Sequence, residues 1–324
     1  MTRSDDIAED TVGEDTASED RAEWLAHMAR IGADHGFFDR IGEAHLALFV
    51  QEGDTLLVSF DTTETARTTR PGGMPLGFAA VQARQVSFLS VMAEGETWFR
   101  DPDLFAFFNT LRDQGFFESF ARVVVLGLGP MAGHAACVFS SVVPGATVIT
   151  AHPAATLAPD LAGFDDRFRA KRRLDFDGPF GDAAALVRGA ERVLLFHDPY
   201  APVDAAHAAQ FRGETILRIP LRFRGKMVER LVADPVLLVP LLRSIDAGDL
   251  TAERVFEFLR PVRRGDAESL LHLTLRAARA GQAGRAAILA SAAKRAQQES
   301  GRRTASALME RGAEQPARAT AAAE

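Results

Sequence analysis

The segment 122–139 reads RVVVLGLGPMAGHAACVF and carries the clearest structural signal in the chain. Arg122–Leu126 is a mostly apolar run of the kind that forms a buried strand. A glycine-rich turn follows at Gly127–Gly133, and the small, apolar residues of His134–Val142 predict a helix. A strand, a glycine turn and a helix in this order are typical of α/β proteins. The turn then either holds an anion at the helix N-terminus or exposes a nucleophile.

The rest of the chain repeats this alternation of strand and helix. Further apolar runs predict strands at His45–Val50, Thr55–Phe60, Ser87–Met92, Ala146–Thr150, Arg192–Phe196 and Glu214–Ile219. Helices are expected at Arg21–His35, Asp101–Gln114, Gly181–Gly189, Val203–Phe211, Asp266–Ala280 and Arg285–Gln298. The turn residues Gly53-Asp54 predict a hairpin between the first two of these strands, and 62–75 is predicted to be a polar loop. Apolar strands separated by helices indicate a three-layer α/β fold with a mostly parallel sheet.

The charge of the chain is unevenly distributed. Residues 1–20 hold eight acids and one base, which accounts for the whole net charge of −7. We therefore expect a disordered acidic tail over 1–20 and a neutral α/β domain over 21–243. A helical extension is expected over 244–300, and a flexible tail over 301–324. A neutral domain gives no electrostatic reason to expect nucleic acid or a membrane as a partner.

Cysteine usage and hydropathy bear on the compartment. Cys137 is the only cysteine, so no disulfide can form within the chain. The N-terminus lacks a basic segment followed by an apolar run, and no stretch of about 18 apolar residues is present. These features predict a cytoplasmic protein.

The glycine-rich turn fits two families of site. Gly127–Ala132 matches the G-x-G-x-x-G/A pattern of dinucleotide-binding domains, which would imply NAD or NADP. Such domains normally carry an acid about 20 residues further on, at the end of the next strand. Here that strand ends at Ala151-His152-Pro153, without an acid. The pattern is therefore incomplete, and no cofactor is predicted.

The order of strands suits an α/β-hydrolase-like fold better. Asp198 follows the strand Arg192–Phe196, as the acid does in a serine-hydrolase triad. Aligned on Met131 and Gly133, the position of the nucleophile falls on Pro130, which has no hydroxyl. The triad histidine should follow Glu214–Ile219, but the sequence there is PLRFRGK. Both nucleophile and base are absent, which disfavours serine-hydrolase chemistry.

Several titratable residues are expected at the carboxyl ends of the strands, where open α/β sheets bind ligands. Asp198 and His134 are the catalytic candidates, although Asp198 also suits a turn and His134 an ordinary position at a helix N-terminus. His152 and His197 end strands, but lack the clustered carboxylate or cysteine that a metal site needs, so no metal is predicted. The basic segment Arg167–Arg173 suits either an anion or an acidic partner, or a solvated face balanced by nearby acids.

The chain also resembles a family of alphaproteobacterial proteins of unassigned function, from Trp24 to Arg243. The shared segments are His35–Phe38, Glu52–Val58, Gly95–Arg100, Pro144–Val148, Ala155–Pro159 and Asp165–Phe168. Relatives are often labelled phosphoadenosine phosphosulfate reductase. That chemistry needs a Ser-Gly-Gly-x-Asp-Ser loop and a redox cysteine near the C-terminus, and this sequence has neither. What the resemblance implies is an α/β-hydrolase-like fold without a named substrate.

Together these observations predict a triad-deficient pseudoenzyme that binds a small molecule or acts as an accessory protein. The expected ligand-binding residues are Asp61, Gly129, Pro130, Met131, His134 and His152. One alternative is an atypical hydrolase or a nucleotide-dependent enzyme that uses the turn Gly127–Gly133. Another is an interaction protein that acts through its C-terminal helices.

Overall fold

The computed structural model describes the backbone of residues 6–299 and the side chains from residue 20 onward. The strands are β1 Gly36–Ile41, β2 His45–Val50, β3 Thr55–Thr62, β4 Ser87–Ala93, β5 Arg122–Leu128, β6 Thr147–Ala151, β7 Arg192–His197 and β8 Ile216–Pro220. The helices are α1 Asp6–His35, α2 Thr63–Thr69, α3 Phe78–Gln82, α4 Pro102–Asp113, α5 Gly129–Phe139, α6 Pro159–Ala162, α7 Ala183–Leu186, α8 Pro202–Gln210, α9 Met227–Ala233, α10 Pro235–Asp246, α11 Ala252–Gly265 and α12 Ala267–Arg279. Residues 283–299 are also helical.

The described strands form one eight-stranded sheet in the order β1-β2-β4-β3-β5-β6-β7-β8. β2 is antiparallel to both β1 and β4, and all other neighbours run parallel. This order, with the glycine turn after β5, is that of the α/β-hydrolase fold. The predicted fold class is therefore confirmed.

Apolar side chains on both faces of the sheet explain why it forms the middle layer. On one face, Val58, Phe60 and Val125 belong to a core cluster that includes side chains of α4, α5, α7 and α8. On the other face, α9 contacts β5, β6 and β7, and α3 contacts β4 and α10. Cys137 lies in the first core and is fully buried. Burial raises the pKa of its thiol, as expected for a small hydrophobic residue that does no chemistry.

The predicted hairpin between β2 and β3 is wrong. β4 lies between these strands, and β2 instead forms its hairpin with β1. The loop after β2 is held to β4, because Ser87 Oγ accepts the backbone N–H groups of Glu52 at 3.0 Å and Gly53 at 3.1 Å. β3 is buried along nearly its whole length, which suits a central position between two parallel neighbours.

Three local predictions also differ from the structure. Within the predicted polar loop 62–75, Thr63–Thr69 forms α2, because Thr62 caps it by accepting the N–H of Thr65. α5 begins at Gly129, five residues before the expected start, with Pro130 in its first turn. α1 begins at Asp6 rather than Arg21. Of the predicted tails, residues 1–5 and 301–324 lie outside the described residues.

The chain divides into two compact units between Asp249 and Leu250. In the second unit, α12 and the helix 283–299 pack against each other through Leu270, Ala293 and Ala296. No helix within the described residues is long and apolar enough to cross a membrane.

Candidate functional site

The turn after β5 is a sharp elbow with Gly129 at its apex. Gly129 has φ +85°, a left-handed conformation that residues with a side chain adopt at a cost. Two residues earlier, a Cβ on Gly127 would overlap the carbonyl oxygen of Ala132, so only glycine allows α5 to cross so close to β5. In hydrolases the strained residue of this turn is the nucleophile. The sequence alignment that assigned the nucleophile position to Pro130 is therefore shifted by one residue, and the position belongs to Gly129.

Pro130 removes a second part of the hydrolase site. In the hydrolase fold, the backbone N–H of the residue after the nucleophile is one of two donors to the oxyanion, the other coming from the loop after β3. Proline has no N–H. At the end of β3, Thr62 donates its own N–H to Asp61 Oδ1 at 2.9 Å. The elbow thus lacks both a nucleophile and its adjacent oxyanion donor.

A cavity of about 660 Å³ opens directly in front of the elbow. Four of the six predicted ligand-binding residues, Asp61, Gly129, Pro130 and Met131, line it. His134 and His152 are not among the lining residues. The remaining walls come from α2, α3 and the segment 70–76 on one side, and from α9 and the start of α10 on the other, including Lys226, Glu229, Arg230 and Leu238.

Asp61 has a structural role at the edge of this cavity. The residue is buried, and its Oδ2 accepts Arg70 Nε at 3.0 Å and the backbone N–H of Leu76 at 3.1 Å. These bonds hold the cavity segment 70–76 against the end of β3. The carboxylate that the sequence analysis placed in the ligand site therefore shapes the wall.

Asp198 also has its carboxylate fully engaged. It accepts backbone N–H groups from Tyr200 at 2.9 Å, Phe223 at 2.9 Å and Gly225 at 2.8 Å. Burial alone would raise its pKa, but these backbone donors together lower it below the usual range. Asp198 ties the loop after β7 to the loop after β8. Within the described residues its carboxylate makes no hydrogen bond to a histidine, although its own N–H donates to His152 Nε2 at 3.0 Å.

His134 lies in the middle of α5 and is fully buried, so the expectation of a position at the helix N-terminus is wrong. Its ring packs near Trp98 and Phe176, and Nδ1 lies 3.2 Å from the carbonyl oxygen of Ala154. Burial lowers the pKa of His134 to about 4. His134 is therefore a core residue behind the elbow, with no access to the cavity it was expected to line.

His152 lies beneath the cavity rather than in its wall. It follows β6, is 3% exposed and has φ +49°. Because Nε2 accepts the N–H of Asp198, the ring proton must sit on Nδ1. That nitrogen faces two carboxylates, Glu229 Oε1 at 3.7 Å and Asp204 Oδ2 at 4.0 Å.

Glu229 is the feature of the site that the sequence analysis missed. Its carboxylate lies beside the elbow apex, since a Cβ on Gly129 would be 3.3 Å from Glu229 Oε2. The signal that points to it is its place in the chain: it lies in the helix that follows β8, just after the segment where hydrolases carry the triad histidine. The cavity therefore has a carboxylate beside the apex of the elbow.

Four of the five basic residues in the segment Arg167–Arg173 lie within 4.0 Å of a carboxylate. Arg167 bonds to Asp165 and to Asp204, at 2.8 Å and 2.7 Å. His207 Nε2 lies 3.0 Å from Asp165 Oδ2, the oxygen that also accepts from Arg167. Burial would raise the pKa of Asp165, but the bonds from Arg167 and His207 lower it to about 2. This Asp165–His207 pair was not expected, and it is structural, because His207 Nδ1 accepts the N–H of Ala155.

The structure also bears on two other kinds of ligand, dinucleotide cofactors and metal ions. In dinucleotide-binding folds the chain crosses to the other side of its first strand after three strands. Here β6, β7 and β8 all follow β5 on the same side, which disfavours that interpretation of the turn. Among the described residues, no group of three His, Cys, Asp or Glu side chains is placed to hold a metal ion.

Comparison with known proteins finds no matching family model and no matching curated protein. The resemblance to alphaproteobacterial proteins therefore stays a prediction, as does the view that their reductase label does not apply to this chain. Among solved structures, the chain is similar to a lipase/esterase from Lactobacillus plantarum (12% identity, 64% of this chain, 94% of that chain, TM-score 0.38). It is also similar to a Pyrobaculum calidifontis esterase (12% identity, 74% and 94%, TM-score 0.45).

A third similar structure is a capsule O-acetyltransferase of Neisseria meningitidis serogroup A (13% identity, 57% of this chain and 86% of that chain, TM-score 0.38). All three scores lie below 0.5. The class of the protein, an α/β-hydrolase-type fold, therefore rests on its strand order and on the elbow after β5.

Proposed function

We propose that this protein binds a small molecule in the cavity at its elbow and performs no acyl-enzyme chemistry. The observation that carries the proposal is the pair Gly129-Pro130, which supplies neither a nucleophile nor the adjacent oxyanion donor. The cavity in front of the pair is nevertheless intact. Its position at the carboxyl ends of parallel strands is where open α/β folds bind ligands.

A fluorescence assay tests whether the cavity binds apolar molecules. N-phenyl-1-naphthylamine, a neutral dye that brightens in apolar surroundings, should bind saturably to the wild-type protein. Ala79→Trp places a large side chain at the cavity wall and should abolish this binding. Ala83→Trp is the matched control, because Ala83 is also exposed and ends the same helix, but does not line the cavity.

Turnover of p-nitrophenyl esters from acetate to octanoate tests the absence of acyl transfer. Rates should not exceed those of buffer, and a fluorophosphonate probe should not label the protein. Ester hydrolysis that is abolished by Glu229→Gln would overturn the proposal. It would instead support an atypical hydrolase in which Glu229 acts as the base.

A second candidate function is protein binding through the C-terminal unit. Leu271 and Leu275 on α12, and Ile288 on the next helix, are exposed, and the two leucines are one helical turn apart. Concentration-dependent self-association in analytical ultracentrifugation would support this function if Leu271→Gln with Leu275→Gln removes it. A wild-type protein that stays monomeric at high concentration would contradict the self-association form of this candidate.

A further inference from the structure

The Glu229 carboxylate stands out because no Lys or Arg among the described residues pairs with it. In the described part of the chain, the basic nitrogen that lies within 4.0 Å of the Glu229 carboxylate is His152 Nδ1, at 3.7 Å from Oε1. That distance is too long for a hydrogen bond. The same ring proton also faces Asp204, so it cannot serve both carboxylates fully.

The other carboxylates around the elbow differ in this respect. Asp61 is paired with Arg70, and Asp198 is surrounded by backbone donors. Glu229 retains 35% exposure of its side chain and lines the cavity beside the apex. A partly desolvated carboxylate is stabilised most by a donor that carries positive charge.

The cations of the cavity do not meet this need. Arg70 is engaged by Asp61, while Lys226 and Arg230 are exposed. The rest of the lining is mostly apolar and includes Leu76, Met131 and Leu238. The cavity therefore combines a largely apolar wall with the Glu229 carboxylate at the elbow and the exposed cations Lys226 and Arg230 elsewhere in its lining.

We propose that the cavity recognises an apolar molecule that carries an ammonium group, with the ammonium bound to Glu229. This inference rests on the proposed binding function and names the chemical class of the ligand. An ammonium would take the place next to Gly129 that a reacting carbonyl takes in a hydrolase. The hydrocarbon part would lie against the walls formed by α3, the segment 70–76 and α10.

Competition against N-phenyl-1-naphthylamine tests the charge preference with three molecules of equal length: hexylamine, 1-hexanol and hexanoate. Hexylamine should displace the dye at about a five- to tenfold lower concentration than hexanol, as expected for one partly desolvated ion pair. Glu229→Gln should remove this difference and leave the affinity for hexanol unchanged. Glu191→Gln is the matched control, because Glu191 is exposed and directly precedes β7. It therefore lies at the amino ends of the parallel strands, whereas the cavity lies at their carboxyl ends.

The outcomes separate this inference from the proposed function. Equal displacement by all three molecules overturns the preference for an ammonium and leaves cavity binding intact. Tighter binding of hexanoate also overturns it, and would point to Lys226 or Arg230 as the anchor. Dye binding that is absent, or that persists in Ala79→Trp, overturns the cavity function itself.

Discussion

The two sides of the elbow differ in what their polar side chains bond to. Beneath it, in the packed layer that contains His134, His152 and Asp198, each of these side chains is buried and bonded to at least one backbone group. In front of it, the cavity wall formed by Gly129 and Glu229 holds a carboxylate that pairs with no Lys or Arg among the described residues. Buried side chains that bond to the backbone stabilise a fold, whereas a carboxylate that faces a cavity without a cation is available to a ligand. Substitutions beneath the elbow should therefore change stability, and those in front of it should change binding.

Asp198→Ala should produce the largest effect on stability. The substitution leaves the partly buried backbone N–H groups of Tyr200, Phe223 and Gly225 without their acceptor. Because each is a bond to a charged group, the loss should be about 4 kcal/mol in the free energy of unfolding. Urea-unfolding midpoints measure it. Asp198→Asn retains one acceptor oxygen and should cost about half as much, and a cost below about 1 kcal/mol for the alanine variant would contradict a structural role.

His134 should make the protein sensitive to acid. Its folded-state pKa of about 4 lies below the usual 6.5, so the neutral ring is favoured by folding. The stability it contributes is complete above pH 6.5 and is lost as the pH falls toward 4, by about 3 kcal/mol in all. Urea unfolding from pH 7 to pH 4 should show a decline that is shallower in His134→Gln. An equal slope in both proteins would show that His134 does not titrate in this range.

The sequence predicts those parts of the fold that depend on neighbouring residues, and it fails for those that depend on contacts between distant segments. The central strands are recognisable because each is a short apolar run between turn residues, as in Val123–Leu126. The sequence does not show which strands pair with each other. The insertion of β4 between β2 and β3, for example, depends on pairing between segments far apart in the chain. β1 was missed because it is an edge strand with exposed, charged Asp39 and Arg40 and no apolar run.

The site shows the same limit. Asp61, Gly129, Pro130 and Met131 were found because they follow strands directly, and strand ends converge at one edge of a parallel sheet. Glu229 was not found, because nothing in the sequence of the helix after the last strand indicates that this helix lies beside the elbow. His134 was misplaced because the helix was expected to begin after the glycines, whereas Pro130 lets it begin at the first turn.

Gly129→Ser should have a moderate effect on stability and none on ester turnover. A side chain at φ +85° should cost about 1–2 kcal/mol. The serine would have no histidine base and no N–H from Pro130 to stabilise an oxyanion, so hydrolysis of p-nitrophenyl acetate should stay at the buffer rate. Gly145→Ser is the matched control, because Gly145 has φ +65° in the turn before β6, away from the cavity. Turnover in Gly129→Ser alone would show that the elbow retains a working oxyanion site.

Glu229→Gln should have the smallest effect on stability, within about 0.5 kcal/mol of the wild type. Its carboxylate makes no hydrogen bond to a described residue at ordinary distance, so the amide replaces little that holds the fold together. The same substitution should remove the preference for hexylamine over hexanol. A large loss of stability would mean that the contact with His152 is part of the packed layer beneath the elbow. Glu229 would then belong with the structural residues beneath the elbow and not with the residues available to a ligand.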